Sequence, residues 1–545
     1  MKYLYFLLFI FIVYGCANVA MPTGGPRDKT PPELVQSTPY SNQKNYNAKT
    51  LELTFNEDIK LKDPKEEILI IPSLGKKTLF TVKKRKLIIT PELPWLPNTT
   101  YSINFREGVQ DLTEGNPAEN LRLAFSTGPT IDSLFISGSV HELFTEKVPL
   151  KITVALYEAD TFDIYKHTPQ YFTKSDKEGY FDISNLKSSK YFIYAFEDKN
   201  KNLKVDSKTE KFGYLSTPVN LLDESQDSIK IFLQHVDARP LVLTNIRHTD
   251  KTSRVRFNKA IDSLAVTGLS NKQAIYTYGT DQAELIFYNS FSKGDSIPIT
   301  LIAKDSVGQK VDTLLYLKYG EIKTTPETLK SKELDLNYNF SEKTLTYILS
   351  YNKPIAAINT DSIFIQYDTI KTTSVPLTDI LLDTLQNKVV IKTAVEEIQF
   401  DEKEKEKKQP KSPELIIGKA AFVTIENDSS KRVTKTIKIP KEEDLGIVSI
   451  KVETKLKDYI VQLTTTDNQV IESLRNIKEH TFKYLPPKEY RLRVIIDTNQ
   501  NGMWDSGNFY EGVEPEKVIL YKSDDDKYNF PLRANWEVGP LLIKF

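Results

Sequence analysis

Cysteine is almost missing from this chain: one, Cys16, stands in 545 residues. A single thiol forms no internal disulfide and offers no paired-sulfur metal site. Histidine is scarce as well. The five present (His141, His167, His235, His248 and His480) are scattered, with no pair at ligand spacing. There is no Gly-x-Ser-x-Gly elbow, no Walker loop and no dinucleotide fingerprint, so the chemistries those motifs serve have nothing to stand on. Net charge is absent too. Lys plus Arg and Asp plus Glu number 73 each, which removes the basic field expected of a nucleic-acid binder. With 73 acidic residues, close carboxylate pairs arise by chance, and none is singled out as a glycosidase pair. The expectation is a protein that is not an enzyme and has no nucleic-acid partner. Long apolar runs are also missing. The best, "YLYFLLFIFIVY" from Tyr3 to Tyr14, falls short of the roughly 20 residues a membrane-spanning helix needs.

What is present points to β structure. Hydrophobic residues make up 39% and aromatics 11%, with 28 Tyr and 27 Phe, a mix that suits pleated, half-buried surfaces. The length exceeds what one core supports and calls for roughly three to five domains. At the N-terminus, Lys2 and the apolar stretch to Tyr14 have the make-up of a secretory signal. The stretch ends in "VYGC", which resembles a bacterial lipoprotein signal, with Val13, small Gly15 and then Cys16 in the lipidated place. The resemblance implies a signal peptide over 1–15, acyl chains on Cys16 and a lipid anchor in an outer membrane. More than one acyl chain is needed for stable anchoring. Residues 16–30, Pro/Gly/Thr-rich and without periodicity, read as a flexible tether. The acidic signal that often follows the cysteine of surface lipoproteins is missing from "CANVAM", so a periplasmic and a surface-facing location both stay open.

Two kinds of internal repeat set the architecture. "LELTFNEDI" (51–59), "SRVRFNKAI" (253–261) and "YILSYNKPI" (347–355) each run through alternating residues to an aromatic, then Asn, then an isoleucine three positions on. Around the first copy, "TPPELVQSTP", "LIITPELPWLPNTTYSINF", "VQDLTEGNP" and "LAFSTG" resemble the bacterial Ig-like domain family of S-layer (SbsA-type) and cell-surface proteins. "KDSVGQ" (304–309) stands in the third unit where "QDLTEGN" stands in the first, and the fourth has no clear equivalent. The second repeat aligns "LKSSKYFIYAFEDKNKNLKVD" (186–206) without gaps to "LPPKEYRLRVIIDTNQNGMWD" (485–505). Its surroundings resemble the small transthyretin-like or carboxypeptidase-regulatory-like β-sandwich. The expected fold is thus all-β: tandem Ig-like and transthyretin-like β-sandwiches following a lipoprotein signal and tether. Boundaries are expected at 31–128 (Ig-like), 129–238 (transthyretin-like), 239–322 (Ig-like), 323–443 (Ig-like) and 444–545 (transthyretin-like). The charged run "DEKEKEKKQPKSP", 401–413, reads as a solvated insertion in the fourth unit. Domains in series of this kind are expected to act as quasi-linear spacers.

The second repeat carries the candidate metal residues. Asp198, Asn200, Asn202 and Asp206, and again Asp497, Asn499, Asn501 and Asp505, offer hard oxygens at alternate positions, as the EF-hand loop does. Gly502 fills the sixth place in the second loop, but Leu203 fills it in the first. The acid expected at position 12 is replaced by Thr209 and Asn508, with Glu210 and Glu511 nearby but out of register. A structural calcium and self-satisfied Asx turns both fit the pattern. Among the three tryptophans, Trp95 in "PELPWLPN" is the candidate for stacking on a sugar or docking a protein, with plugging its own sandwich as the alternative. The functional expectation is a non-enzymatic binding or scaffolding lipoprotein in a complex with an envelope protein, such as a barrel or an assembly or secretion machine. The alternative is a surface glycan-binding lipoprotein beside a nutrient transporter.

Overall fold

The computed structural model describes residues 27–545, apart from 76, 146–147, 159–161, 223, 268–274, 289–295, 321, 326, 397–411 and 524. Cys16, its lipidation and most of the charged insertion lie outside the described residues. The described residues are all-β, with one short α-turn at Pro64–Glu67 and a few 3-10 turns between strands.

The strands form sandwiches of two kinds. In the Ig-like kind, the four-stranded sheet has one order three times. It runs Leu34–Thr38, Leu51–Phe55, Lys86–Thr90, Leu79–Lys83 in the first copy. The second copy is Leu243–His248, Thr252–Phe257, Glu284–Tyr288, Tyr276–Tyr278, and the third Ser331–Asn339, Thr344–Tyr351, Lys388–Ala394, Ile380–Leu382. The repeated segment is always the second strand. Its aromatic (Phe55, Phe257, Tyr351) and the following isoleucine (Ile59, Ile261, Ile355) are buried in the core.

The Asn between them does more than mark a turn. In every copy its backbone N–H donates to a carbonyl just before the first strand: Asn56 to Glu33, Asn258 to Val242, Asn352 to Lys330. Its Oδ1 accepts the N–H of that same residue, at 2.9, 2.9 and 2.8 Å. In the second and third copies its Nδ2 also donates to the carbonyl two residues earlier, Pro240 at 2.8 Å and Thr328 at 3.1 Å. A two-way clasp therefore holds the first strand to the second across 16 to 23 positions. Asp or Ser cannot present a side-chain amide and an acceptor together at that reach.

A buried lysine follows the Asn in two copies. Lys259 pairs with Asp305 of "KDSVGQ", whose other oxygen accepts the N–H groups of Val307 and Gln309. Lys353 pairs with Glu426 at 2.6 Å and Asp428 at 2.8 Å. Burial pulls Lys353 down, but those two carboxylates outweigh it and hold its pKa above the ordinary lysine value. The fourth unit thus has an acidic turn, "TIENDS", after Phe422–Thr424, just as Asp111 closes the turn after its own short strand. Sequence alone missed it because the charged insertion displaces it.

The other kind, expected to be transthyretin-like, occurs twice with one topology. Leu134–Glu142 lies between Tyr180–Leu186 and Gln226–Leu233, pairing antiparallel with the first and parallel with the second. Gly446–Glu453 stands likewise between Glu479–Leu485 and Glu537–Lys544. In both, a fully buried tyrosine donates its hydroxyl to the carbonyl four residues back: Tyr191 to Lys187 at 3.1 Å, Tyr490 to Pro486 at 2.7 Å.

Neighbouring sandwiches are docked. Ile71 of the first unit joins the core of the second. Beside it Glu67, buried, pairs with Lys151 at 2.7 Å and Arg106 at 3.2 Å, and Arg106 also donates to the Lys174 carbonyl at 2.6 Å. A quasi-linear series, however, is not what the chain forms. The fifth unit returns to the second, sharing with it an apolar cluster of Leu143, Ile460, Ile495, Val518 and Leu520.

Replacing Asn352 by Ala removes one acceptor and one donor from the clasp and is expected to destabilise the fourth unit by about 1–2 kcal/mol. Asn352→Asp, which keeps the acceptor, is expected to lose less. Hydrogen exchange of the strand Thr344–Tyr351 measures both.

Candidate functional site

The two Asp/Asn loops follow equivalent strands, Ser189–Phe196 and Lys488–Ile495. In the first loop, Asp198 accepts the N–H groups of Asn202 at 2.9 Å and Leu203 at 3.3 Å. Asn200 Oδ1 accepts the Asn202 N–H and Asn202 Oδ1 accepts the Lys204 N–H. Leu203 takes the left-handed backbone that glycine would favour, with φ near 60°. In the second loop, Asp497 Oδ2 accepts the Gly502 N–H at 2.9 Å and an Arg475 N–H at 3.2 Å. Asn499 Oδ1 and Asn501 Oδ1 accept the N–H groups of Asn501 and Met503, while both amides donate to Asp505 Oδ2 at 2.8 and 2.7 Å. Most side-chain oxygens are thereby spent on the loops' own backbone, which is the Asx-turn arrangement. Arg475 already neutralises Asp497. One oxygen, Asp497 Oδ1, is buried and bonded to nothing among the described residues. No group of three or more His, Cys, Asp or Glu side chains suited to a metal occurs among the described residues.

Each loop is closed by a buried glutamate. Glu210 accepts the N–H groups of Lys199 at 2.9 Å and Asp206 at 2.8 Å, and burial pushes its pKa up. Its structural counterpart is Glu516, which accepts from Thr498 at 2.7 Å and Asp505 at 3.2 Å. Glu511, the nearer carboxylate in sequence, is not the partner. Asp198 to Asp206 matches Asp497 to Asp505 at an offset of 299, but Glu210 to Glu516 is an offset of 306, so seven extra residues enter the second loop (306 − 299 = 7).

Those extra residues form the contact with the rest of the molecule. Asn508 and Val513 exchange both backbone hydrogen bonds at 2.9 Å, closing a tight loop around the 3-10 turn Phe509–Glu511. Gly507 and Gly512 flank it with positive φ, and a β-carbon at Gly507 would stand 2.3 Å from the Val513 carbonyl oxygen. Phe509 enters an aromatic nest of the second unit, edge-on to Tyr214 (5.3 Å), Phe212 (5.7 Å) and Tyr165 (6.0 Å). The Tyr214 hydroxyl donates to the Val513 carbonyl at 2.6 Å, Tyr510 donates to the Ala238 carbonyl, and Gln234 donates to the Ser506 carbonyl at 2.9 Å. Ser216 donates twice to Glu514. The same segment reaches the third unit, where Ser506 donates to the Ser306 carbonyl at 2.8 Å. Gly308 there leaves room for the Asn508 amide, 2.9 Å from where a β-carbon would sit.

The tryptophans divide by role. Trp95 sits against Tyr46, Tyr101 and Phe125 at 6.1, 4.9 and 5.3 Å and donates to the Ala48 carbonyl at 2.7 Å, so its indole helps close its own sandwich. Trp504 packs edge-on to Phe144 of the second unit at 4.7 Å, with the Arg493 guanidinium on Phe144 at 5.0 Å. Trp536 is 49% exposed, with Arg533 over its ring. The loops and tryptophans do not converge on one pocket. The first loop faces the first unit through a Lys201–Glu66 ion pair, and the second faces the second and third units.

Because the loop oxygens serve the backbone, Asp497→Ala is expected to lower thermal stability equally in calcium and in chelator. A loss confined to calcium buffer would instead assign Asp497 Oδ1 to a bound cation. Phe509→Ala removes the plug and is expected to cost about 2 kcal/mol of docking energy. The readout is a larger radius of gyration in solution scattering, with all five units still folded.

Comparison with known proteins bears on part of the chain. No curated protein matches it at a significant level. Among solved structures, PorU from Porphyromonas gingivalis aligns over 54% of this chain at 10% identity and a TM-score of 0.22. The chain spans only 35% of PorU. BcpA, the major pilin subunit of Bacillus cereus, aligns over 76% of this chain and 99% of its own at 8% identity (TM-score 0.13). The human desmocollin-1 ectodomain aligns over 75% and 79% at 9% identity (TM-score 0.12). At such TM-scores these likenesses carry nothing about function. Residues 28–127 match the family described as bacterial Ig-like domain, so the first sandwich is a bacterial Ig-like domain.

Proposed function

We propose that this is a lipid-anchored lipoprotein of a Bacteroidota-like outer membrane, acting as a non-enzymatic scaffold within a cell-envelope protein complex. The observation that carries the reading is the closure of the chain by the 508–513 loop, which seats the fifth unit against the second and third. A chain that folds back on itself holds several sandwich faces in fixed relation, as a scaffold must, whereas an extended spacer does not need such a contact. The "VYGC" signal ending at Cys16 supports the anchor. The scattered histidines and the loop carboxylates bonded to their own backbone support a role without catalysis. The partner is an envelope protein, a barrel or a component of an assembly or secretion machine. Glycan capture through Trp95 draws less support, because that indole is engaged in its own sandwich.

The test is to purify the acylated protein from native membranes in mild detergent and identify the proteins still bound. A stoichiometric barrel or machine component is the expected result, and Cys16→Ala is expected to release the protein from the membrane. A clean monomer that instead binds polysaccharide on a glycan array would overturn the scaffold reading.

A further inference from the structure

Between the third and fourth units lies a polar cleft of about 370 Å³. Its floor is the outward face of the sheet that contains Leu243–His248 and Thr252–Phe257. Pairing across those two strands sets Arg247 directly opposite Arg254, with Asn245 opposite Arg256. Val255, pointing the other way, is fully buried in the core, so the arginines share the outer face. Like charges directly opposite on a sheet destabilise it. A protein that has no net charge to place has nonetheless put two guanidiniums side by side here.

The surrounding acids balance these charges in number but not in placement: five cations meet five carboxylates, of which two crowd Arg254 and two crowd Lys353. Arg254 is matched by Glu284 at 3.0 Å and Glu327 at 3.9 Å. Arg256 is matched by Asp281, and Lys353, from the fourth unit, by Glu426 and Asp428. Every acid that lines the cleft is thus already committed. Two lining cations, Arg247 and Lys251, make no ion pair among the described residues. Lys251 is held at the rim by a rigid turn in which Thr249 and Thr252 bond through both backbone and side chain. The opposite wall, the connection at Thr324, is tied down by two hydrogen bonds to Asp250 at 3.3 and 3.2 Å.

We propose that this cleft binds a phosphate monoester, with Arg247 as the forked donor, Lys251 as the second cation and Arg254 contributing beside its glutamates. The two lining cations without an ion-pair partner among the described residues match the charge of about −1.5 to −2 that a phosphate monoester carries at pH 7, better than the single charge of a carboxylate. Guanidinium pairs a phosphate through two parallel hydrogen bonds, which gives Arg247 its orientation-specific role. The site lies where two Ig-like units meet, so an occupant would also brace that junction.

The test is calorimetric titration of the detergent-purified full chain with inorganic phosphate at constant ionic strength, with chloride as the control anion. Saturable binding is expected, weakened at least tenfold by Arg247→Ala and less by Arg247→Lys, and weakening as the pH falls and the phosphate dianion is lost. Lys451→Ala, on the fifth unit, is expected to change nothing. A second readout keeps the test independent of misfolding. Without phosphate, Arg247→Ala is expected to melt no lower than the parent, since it relieves repulsion. With phosphate, only the parent is expected to gain stability. Flotation on phosphatidic acid vesicles, competed by inorganic phosphate, would identify a lipid headgroup as the source. Binding of a sugar phosphate without flotation would identify a soluble or glycan-borne one. Absence of saturable binding, or affinity within twofold of the parent in the Arg247→Ala, Lys251→Ala double variant, would overturn the proposal.

Discussion

The molecule depends on one short loop, 508–513, and on the seating of Phe509 among the aromatics of the second sandwich. Each sandwich has its own core, so each could fold without that contact. What the contact decides is the arrangement of the units relative to one another. The loop is prepared for the task by its own backbone pair, its Asn508 cap and two glycines with positive φ, so little conformational freedom is left to lose on docking. Its hydrogen bonds end on backbone carbonyls and Glu514, which makes the contact specific in register as well as apolar.

The same duplicated loop shows how an inherited element takes on different neighbours. Asp198 and Asp497 close equivalent turns, and Glu210 and Glu516 staple them to the following strand. In the first copy the loop faces the preceding unit through Lys201 and Glu66. In the second, seven added residues carry it to units two and three. The Asp/Asn spacing is thus accounted for by backbone geometry common to both copies, and the copies differ in the residues that come after Asp206 and Asp505.

The all-β class was legible because alternation and aromatic content report directly on strands. The repeats were legible because they preserve that alternation. What escaped was non-local. The Asn after each repeated strand looks like a turn residue, yet its side chain clasps a strand 16 to 23 positions earlier, which no local pattern reveals. Glu511 lies closer to the second loop in sequence than Glu516, but the seven-residue insertion moves the partner down the chain. The acidic turn of the fourth unit was hidden in the same way, behind the charged run. The return of the fifth unit onto the second was invisible because aromatic residues in a glycine-flanked loop read the same whether they meet solvent or another domain.

The parallel pairing of the first and last strands in the second and fifth units has a mechanical consequence. The chain enters at one end of that strand pair and leaves at the other, so tension along the molecule pulls the two strands past each other lengthwise. Their cross-strand bonds then share the load together instead of parting one at a time. In the second unit, a pull between the N-terminal side and the later domains would fall across Leu134–Glu142 and Gln226–Leu233 in shear. That pairing resists a stretch along the chain.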